Sequence, residues 1–378
     1  MWPFLKPAAA HEPARLNIRN NTGDVALHNN ISDNKAYNYA HQCPALSPEH
    51  RAAYDSDGDQ LDIVEETDNY IIGEDAAEVL EEILPFIEMA AAAYKSTSMK
   101  DDFQMVERSQ LIHNVIDTSH LFGGVMGRTD TEVHVSILDD ESVVMAFRGT
   151  EPTEWDTGFA DVLTDLAEGQ EPVKLYDGAS DKPVYTSPAV IRAHRGFQLA
   201  LKDVTDSSVP SQNLSLVLQN LGMQAQDVRN VICVGHSLGG ALATLCAKWC
   251  REVAFSGATI GCITIGSPRV GNAAFALDFE RHVVKDSGLS YRVVNKHDVV
   301  PSLPNLLTYP FFASAYKHVA QPIYLYEDAL GQMSSRVGGC RPSKLNLGFS
   351  DHKTTSYLAS TSAVLQAAGL PSSLAMDR

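Results

Sequence analysis

Apolar runs alternate with helix-forming stretches from about residue 140 onward. Short β-branched runs predict six strands, and the spacing of apolar positions predicts helices near 190–205, 240–254, 272–286 and 355–367. The predicted strands are Thr131–Leu138, Ser142–Phe147, Asn230–Val234, Thr259–Ile265, Ser290–Val294 and, last, Pro322–Tyr326. The first two flank Asp139-Asp140-Glu141 and predict a hairpin. Because strands separated by helices are joined by right-handed crossovers, the later strands predict an α/β fold with a mainly parallel central sheet flanked by helices.

The N-terminal part of the chain has a different pattern. Residues 1–70 are rich in Asn, Asp, Pro, His and Ala with little periodicity, which predicts an irregular, acidic extension. Apolar residues at helical spacing then predict a core-facing helix over roughly 75–95, which Pro85 should kink or restart. We therefore expect one α/β domain over 71–378. The segment 168–188 has the character of an inserted loop.

Charge and composition exclude several classes of function. The net charge is −18, and 13 of the 47 acidic residues lie between Ala52 and Tyr94, where there is no lysine or arginine. The rest of the chain is only mildly acidic, so no part offers the basic surface that binds nucleic acid or attracts anionic membranes. No apolar run reaches the roughly 20 residues of a transmembrane helix. The N-terminus is broken by prolines and makes a poor secretory signal, so a cytoplasmic location is expected.

The six cysteines change this picture little. Cys233 and Cys262 fall within predicted core strands, and Cys246 and Cys250 lie one helical turn apart. None has the spacing of metal ligands, and no disulfide framework is expected.

The most informative motif is Gly235-His236-Ser237-Leu238-Gly239-Gly240. It directly follows the apolar run 231–234, and an alanine-rich helical stretch follows it. A serine between two glycines, where a buried strand turns sharply into a helix, is held with its hydroxyl exposed to substrate. Ser237 is therefore the candidate nucleophile. The alternative is a glycine turn that only packs the helix on the strand.

A serine nucleophile needs a histidine base and a carboxylate that orients the histidine. In this type of fold the acid and then the histidine follow the serine along the chain, on loops after strands. Asp298 comes just after a predicted strand, whereas Asp278 and Glu280 fall within a helix, so Asp298 is the candidate acid. His352 follows the last predicted strand and is the candidate base. The alternatives are a turn-capping aspartate and a surface histidine without a role.

Two other histidines, His236 and His297, neighbour these positions in sequence. Side chains of neighbouring residues along a turn diverge, so we predict packing or supporting roles for both. The oxyanion of acyl transfer needs hydrogen-bond donors already in place. The Leu238 backbone amide is one candidate. Thr150, in the glycine turn after the strand that ends at Phe147, is the other, although Gly149-Thr150 is equally typical of an ordinary turn.

Several segments together resemble the class 3 lipases, the family of the fungal triacylglycerol lipases and plant acylhydrolases. They are AFRGTE at 146–151, VGHSLGGALA at 234–243, IGSPRVGN at 265–272 and NKHDVVPSLP at 295–304, with lesser matches HRGF at 194–197, YKHV at 316–319 and DHKTTSYL at 351–358. The resemblance implies the α/β-hydrolase fold. It also implies a triad of Ser237, Asp298 and His352 and an oxyanion hole of Thr150 and Leu238.

The activity that these residues and the resemblance imply is hydrolysis of carboxylic esters of acyl lipids through a covalent acyl-enzyme, without metal or organic cofactor. The substrate is expected to be met at a lipid–water interface. The stretch 151–166 matches the position of the family's amphipathic lid, although its apolar spacing is equally typical of a core helix. Two alternatives remain open: an esterase of non-lipid substrates of the feruloyl-ester kind, and a lipase-like binding module without turnover. The sequence does not determine the oligomeric state or the lipid head group.

Overall fold

The computed structural model describes part of the chain. The described residues are 71–72, 74–95, 98–117, 128–149, 169–178, 182–285, 289–304, 316–339, 341–342 and 350–372. The predicted extension 1–70, the candidate lid 151–166 and the candidate oxyanion residue Thr150 lie outside them. The boundary at residue 71 stays a prediction.

A nine-stranded sheet forms the centre of the described structure, in the spatial order β1-β13-β12-β11-β10-β9-β4-β3-β2. Its strands are β1 (Ile71–Ile72), β2 (Val106–Asp117), β3 (Arg128–Leu138), β4 (Val143–Phe147), β9 (Asn230–His236), β10 (Thr259–Ile265), β11 (Ser290–Asn295), β12 (Gln321–Glu327) and β13 (Met333–Val337). The five adjacent strands β12, β11, β10, β9 and β4 are parallel, and the strands at both edges are antiparallel. The predicted α/β fold with a parallel sheet centre is confirmed.

Helices cover both faces of this sheet. They are α1 (Glu74–Ala92), α2 (Met99–Asp102), α3 (Arg195–Thr205), α4 (Leu214–Asn220), α5 (Leu238–Trp249), α6 (Ala273–Phe279) and α7 (Thr354–Ala367). Buried residues of α3, α4, α5 and α6 belong to one core cluster, and those of α1, α2 and α7 to the other. No helix of the described part is long and apolar enough to cross a bilayer.

Strand β9 shows why a strand at the sheet centre carries consecutive apolar residues. Val231 and Cys233 pack into the first cluster, and Ile232 and Val234 pack into the second. Successive side chains of a strand point to opposite faces, so a strand covered by helices on both sides is a continuous apolar run. Both faces of the strand that leads to Ser237 are therefore covered by core residues.

The structure corrects several element predictions. The helix predicted over 190–205 begins only at Arg195, because 192–194 form strand β8 (Arg192–His194). The predicted loop 168–188 contains the short strands β5 (Gln170–Pro172), β6 (Lys174–Leu175) and β7 (Tyr185–Thr186), which pair in two small sheets. Helix α1 runs through Pro85 without a restart.

Three sheet strands were not predicted: the two-residue strand β1 and the longer strands β2 and β13. Strand β2 lies at the sheet edge, paired on one side with β3, and its sequence VERSQLIHNVID carries too many polar residues for a buried-strand pattern. Strand β13 follows the strand that was predicted to be last, and its sequence MSSRV has two apolar residues. Both strands gain stability from pairing with a neighbour, which the local pattern does not report.

Candidate active site

Ser237 occupies the sharp turn between β9 and α5. The strand ends at His236, the helix begins at Leu238, and Ser237 has φ 58° and ψ −127°. A non-glycine residue with positive φ is strained by about 1–3 kcal/mol and persists only where the surroundings enforce it. Here the rigid strand and the helix on either side of the turn enforce it, with the Ser237 amide donating to the Ile265 carbonyl at 2.9 Å.

The glycines on both sides of Ser237 are required by space. A Cβ at Gly235 would lie 2.2 Å from the carbonyl oxygen of Gly239, and a Cβ at Gly239 would lie 2.3 Å from the carbonyl oxygen of Phe147. Strand, helix and the neighbouring strand β4 therefore approach each other more closely than any side chain allows. This confirms the strand–turn–helix arrangement expected of the motif.

Asp298 and His352 form a buried pair. The side chains of both are fully buried, and His352 Nδ1 lies 2.8 Å from Asp298 Oδ2. Asp298 lies in the loop after β11, and His352 ends a 3₁₀ turn (Ser350–His352) just before α7. Residues 54 positions apart are thus joined by one hydrogen bond. The carboxylate can hold the imidazole with its Nδ1 protonated, which leaves Nε2 as the basic nitrogen.

Further donors keep the Asp298 carboxyl ionised. The Tyr357 hydroxyl donates to Oδ2 at 2.6 Å, and the Val300 backbone amide donates to Oδ1 at 2.9 Å. Burial alone raises the pKa of Asp298, but the charge of His352 and the hydrogen bonds from His352, Tyr357 and Val300 lower the pKa below its ordinary value. The carboxylate is charged at neutral pH and suited to stabilise a protonated imidazole.

Arg341 donates hydrogen bonds to the main chain of the loop that carries Asp298. Its Nη2 donates to the carbonyl oxygens of Asp298 at 2.7 Å and Lys296 at 2.8 Å. Asn295, the last residue of β11, donates from Nδ2 to the Asp351 carbonyl at 3.0 Å, which ties this loop to the one that carries His352. These contacts fix the main chain on both sides of the pair.

Sequence reasoning missed Tyr357, Arg341 and Asn295 as site residues. Tyr357 stands five positions after His352 on a helix, and Arg341 follows the unpredicted strand β13. Neither position in the sequence predicts a contact with Asp298, because these contacts form only when distant loops come together in the fold. The helical periodicity of 354–367 places Tyr357 on the core face and offers the one clue that its hydroxyl needs a buried partner.

The structure brings both of the neighbouring histidines, His236 and His297, against the loop that carries His352. His236 Nε2 lies 2.6 Å from the backbone carbonyl oxygen of His352, and their rings are 4.6 Å apart between centroids. His297 Nδ1 lies 3.3 Å from Asp351 Oδ2. Because His236 directly precedes Ser237, the His236 contact brings the serine turn and the His352 loop together.

Of the two oxyanion candidates, the structure describes Leu238. It is the first residue of α5, where backbone amides have no acceptor within the helix and where the helix dipole favours negative charge. Thr150 lies outside the described residues, but Gly149 before it packs on the serine turn. A Cβ added to Gly149 would lie 3.1 Å from the Ser237 Cβ. The described end of the turn after β4 therefore lies beside the serine turn, and the oxyanion role of Thr150 stays a prediction.

Two clusters of metal-binding residue types occur in the described part of the chain, and neither includes a triad residue. The thiols of Cys233, Cys246 and Cys250 lie within 4.8 Å of one another, a grouping that their spacing did not indicate. Burial raises the pKa of all three well above the ordinary value, which favours neutral thiols that pack as small apolar groups. The four described cysteines, these three and Cys262, are free.

The second cluster contains Glu252, Asp278 and His282. The fully buried ammonium group of Lys248 contacts the carboxylates of both Glu252 and Asp278. The positive charge of Lys248 thus offsets part of the negative charge of the two carboxylates. Asp278, which the sequence analysis rejected as the acid of the triad, belongs to this ion cluster and not to the Ser237 site.

Comparison with known proteins agrees with this arrangement. Residues 144–308 match the family model described as Lipase (class 3). A lipase of Rhizopus niveus is 30% identical over 180 residues, which are 47% of this chain and 38% of the relative. The phospholipase A(1) DAD1, chloroplastic, of Arabidopsis thaliana is 29% identical over 174 residues, which are 46% of this chain and 36% of the relative.

Among solved structures, the lipase from Rhizopus microsporus var. chinensis aligns with a TM-score of 0.46 and 22% identity, over 76% of this chain and 84% of that one. The chain spans well under half the length of the two curated relatives named above. The family match begins in β4 and ends after the Asp298 loop, so it contains the serine turn and the acid. Residues 144–308 of this chain therefore match the class 3 lipase family, and the structure places them in an α/β fold with a mainly parallel sheet.

Proposed function

We propose that the protein is a serine carboxylic-ester hydrolase that acts on acyl lipids through a covalent acyl-enzyme. The observation that carries the proposal is the buried Asp298–His352 pair at 2.8 Å, placed beside a strained serine turn. Such a pair gives an imidazole that accepts a proton at Nε2 and is stabilised when charged. Neither feature is needed for a fold that only binds.

The chemistry follows from the positions of these residues. The Ser237 hydroxyl gives its proton to His352 Nε2 while Oγ attacks the ester carbonyl, and the resulting oxyanion is stabilised by the Leu238 amide and by Thr150. The C–O bond to the alcohol then breaks, and the alcohol leaves with the proton from Nε2. Water then gives a proton to Nε2 and attacks the acyl carbonyl carbon. The bond to Ser237 Oγ breaks and Oγ takes the proton back from Nε2, which releases the fatty acid and free Ser237. Asp298 stays ionised throughout.

We propose acyl lipids as substrates because the similar proteins are named after activities on lipids. The similar proteins are named as lipases and as a phospholipase A(1), which hydrolyse the same kind of ester in different lipids. We propose that the substrate is met at a lipid–water interface. All steps above use side chains and backbone amides of this chain and need no cofactor.

The test compares wild type with Ser237→Ala on p-nitrophenyl esters of short and long acyl chains, below and above their aggregation concentration, and on tri-, diacylglycerol and phospholipid emulsions. We expect hydrolysis of the long-chain esters to rise above the aggregation concentration. Loss of activity by several orders of magnitude is expected in the folded variant. Activity retained by Ser237→Ala, or absent from wild type on every ester, contradicts the proposal. Activity confined to dissolved short esters contradicts the assignment to lipids.

A further inference from the structure

We propose that Tyr94 and His236 are positioning residues, which hold the main chain of His352 and the turn after β4 in place around Ser237. The inference rests on the proposed function, because it assigns roles around the same site. Tyr94 lies just beyond the end of α1, well before the segment that matches the lipase family.

The hydrogen-bond directions around His236 follow from the atoms involved. Nε2 faces the backbone carbonyl oxygen of His352 at 2.6 Å, and a carbonyl only accepts, so Nε2 carries the hydrogen. A neutral imidazole with its hydrogen on Nε2 has an acceptor at Nδ1. The Tyr94 hydroxyl lies 2.7 Å from that Nδ1 and therefore donates to it. The chain of donors runs from Tyr94 through the His236 ring to the His352 carbonyl.

Burial supports this single arrangement. His236 is 1% exposed. Desolvation first, and then the charge of His352, lower the pKa of His236 to about 3, although the hydrogen bond to the His352 carbonyl and the nearby Asp298 carboxylate act in the opposite direction. The ring is therefore neutral at neutral pH, and its two hydrogen-bond partners favour the tautomer with the hydrogen on Nε2.

His352 is then fixed at two separate points. Asp298 holds the ring at Nδ1 and His236 holds the main chain at the carbonyl oxygen. A ring anchored at only one point can swing about its χ angles, whereas the second anchor fixes where Nε2 lies. Since His236 directly precedes Ser237, the hydrogen bond from His236 to the His352 carbonyl also sets the distance between the base and the nucleophile. Small misplacements of reacting groups cost large factors in rate.

Tyr94 also contacts the turn that precedes Thr150. A Cβ added to Gly149 would lie 2.4 Å from the Tyr94 hydroxyl oxygen and 2.5 Å from the His236 carbonyl oxygen. The Gly149 backbone is thus packed against both residues at once. One tyrosine hydroxyl therefore lies where the oxyanion turn, the serine turn and the His352 loop meet, and its loss should affect kcat more than substrate binding.

The first test needs no activity. In protein with ¹⁵N-labelled histidine, NMR shifts identify the tautomer, and the His236 signals are assigned by their absence from His236→Gln. We expect His236 to stay neutral with its hydrogen on Nε2 from pH 5 to pH 8. A hydrogen on Nδ1, or protonation within that range, overturns the inference whether or not the protein hydrolyses esters.

The second test uses kinetics on a short, dissolved ester. Tyr94→Phe removes the donor to Nδ1, and we expect kcat to fall about tenfold with KM nearly unchanged, whereas Tyr326→Phe on β12 serves as the matched control and should stay at the wild-type value. For residue 236, His236→Gln keeps an amide donor near the Nε2 position and should retain about ten times the kcat of His236→Phe, which has none.

The outcomes separate the two proposals. Equal kcat for His236→Gln and His236→Phe, or wild-type kcat in Tyr94→Phe, overturns the positioning role when wild type is active. A loss of kcat that tracks only the folded fraction, measured by circular dichroism of each variant, also overturns it. An inactive wild type contradicts the proposed function, and the NMR measurement then decides the inference alone.

Discussion

The Tyr357 hydroxyl and the His352 ring donate to the same oxygen of Asp298, at 2.6 and 2.8 Å. His352 ends the short 3₁₀ turn before α7, and Tyr357 lies in the first turn of α7 itself. These two hydrogen bonds stabilise the negative charge of the Asp298 carboxylate, which is fully buried. It explains how a carboxyl group without access to water remains an anion beside the imidazole it orients.

Replacing the acid with its neutral analogue should remove most of the activity. In Asp298→Asn the side chain can donate to His352 Nδ1, which places the hydrogen on Nε2 and takes away the base. We expect kcat to fall by about 10³–10⁴ with KM little changed. Steady-state kinetics on a dissolved ester measures this. Asp351→Asn, on the loop that carries His352 but with its side chain bonded to His297, is the control and should stay within a few-fold of wild type.

The strain at Ser237 predicts an unusual stability effect. Glycine adopts positive φ without cost, whereas alanine keeps the Cβ that makes φ 58° unfavourable. We expect Ser237→Gly to exceed Ser237→Ala in free energy of unfolding by about 1 kcal/mol, although both are inactive. Urea denaturation of the two variants measures the difference. If Ser237→Ala proves equally or more stable, the turn is not strained.

Gly149 offers a test of the close approach after β4. A Cβ at this position would overlap the Tyr94 hydroxyl and the His236 carbonyl oxygen, so Gly149→Ala must push the turn away from Ser237. We expect kcat to fall at least tenfold, because the turn carries the oxyanion candidate Thr150. Gly257→Ala, where a Cβ meets nothing within 4 Å, is the matched control. Normal kcat in Gly149→Ala contradicts the packing described.

Burial of neutral His236 makes stability depend on pH. The folded pKa is about 3, while an unfolded histidine has a pKa of about 6.5. Between these values the unfolded state binds more protons, so the contribution is fully present above about pH 6.5 and is lost as the pH falls toward 3. Wild type should lose about 2–3 kcal/mol from this residue between pH 7 and pH 4.5.

His236→Gln should show a correspondingly smaller loss over the same interval, measured by urea denaturation at both pH values. Some pH dependence should remain in that variant, because burial also lowers the pKa of His318. Asp298 does not contribute in this window, since its lowered pKa matters only below the unfolded value of about 3.9. An unchanged slope in His236→Gln contradicts a neutral, buried His236.

The chain pattern predicted the centre of the fold better than its edges. Strands β9, β10 and β11 lie at the sheet centre, and their runs of buried apolar residues located them within two residues at each end. Strands β2 and β13 contain polar residues and depend on pairing with partners, which no local pattern reveals.

The same distinction holds at the site. Chain order after Ser237 led to Asp298 and His352, because the acid and base of this fold follow strands in a fixed sequence. Tyr94 and Tyr357 could not be found this way. Each acts through a single hydroxyl, and its partner is decided only when α1 and α7 pack on the sheet.

The central claim is that His352 and Asp298 make Ser237 a nucleophile, and covalent labelling tests it most directly. The folded protein is treated with a fluorophosphonate, digested and mapped by mass spectrometry, and the labelling rate is compared with that of His352→Ala. We predict one phosphonylated residue, Ser237, and a rate at least a thousandfold lower in the variant. An unlabelled wild type, a label on another serine, or equal rates in the two proteins would contradict the claim.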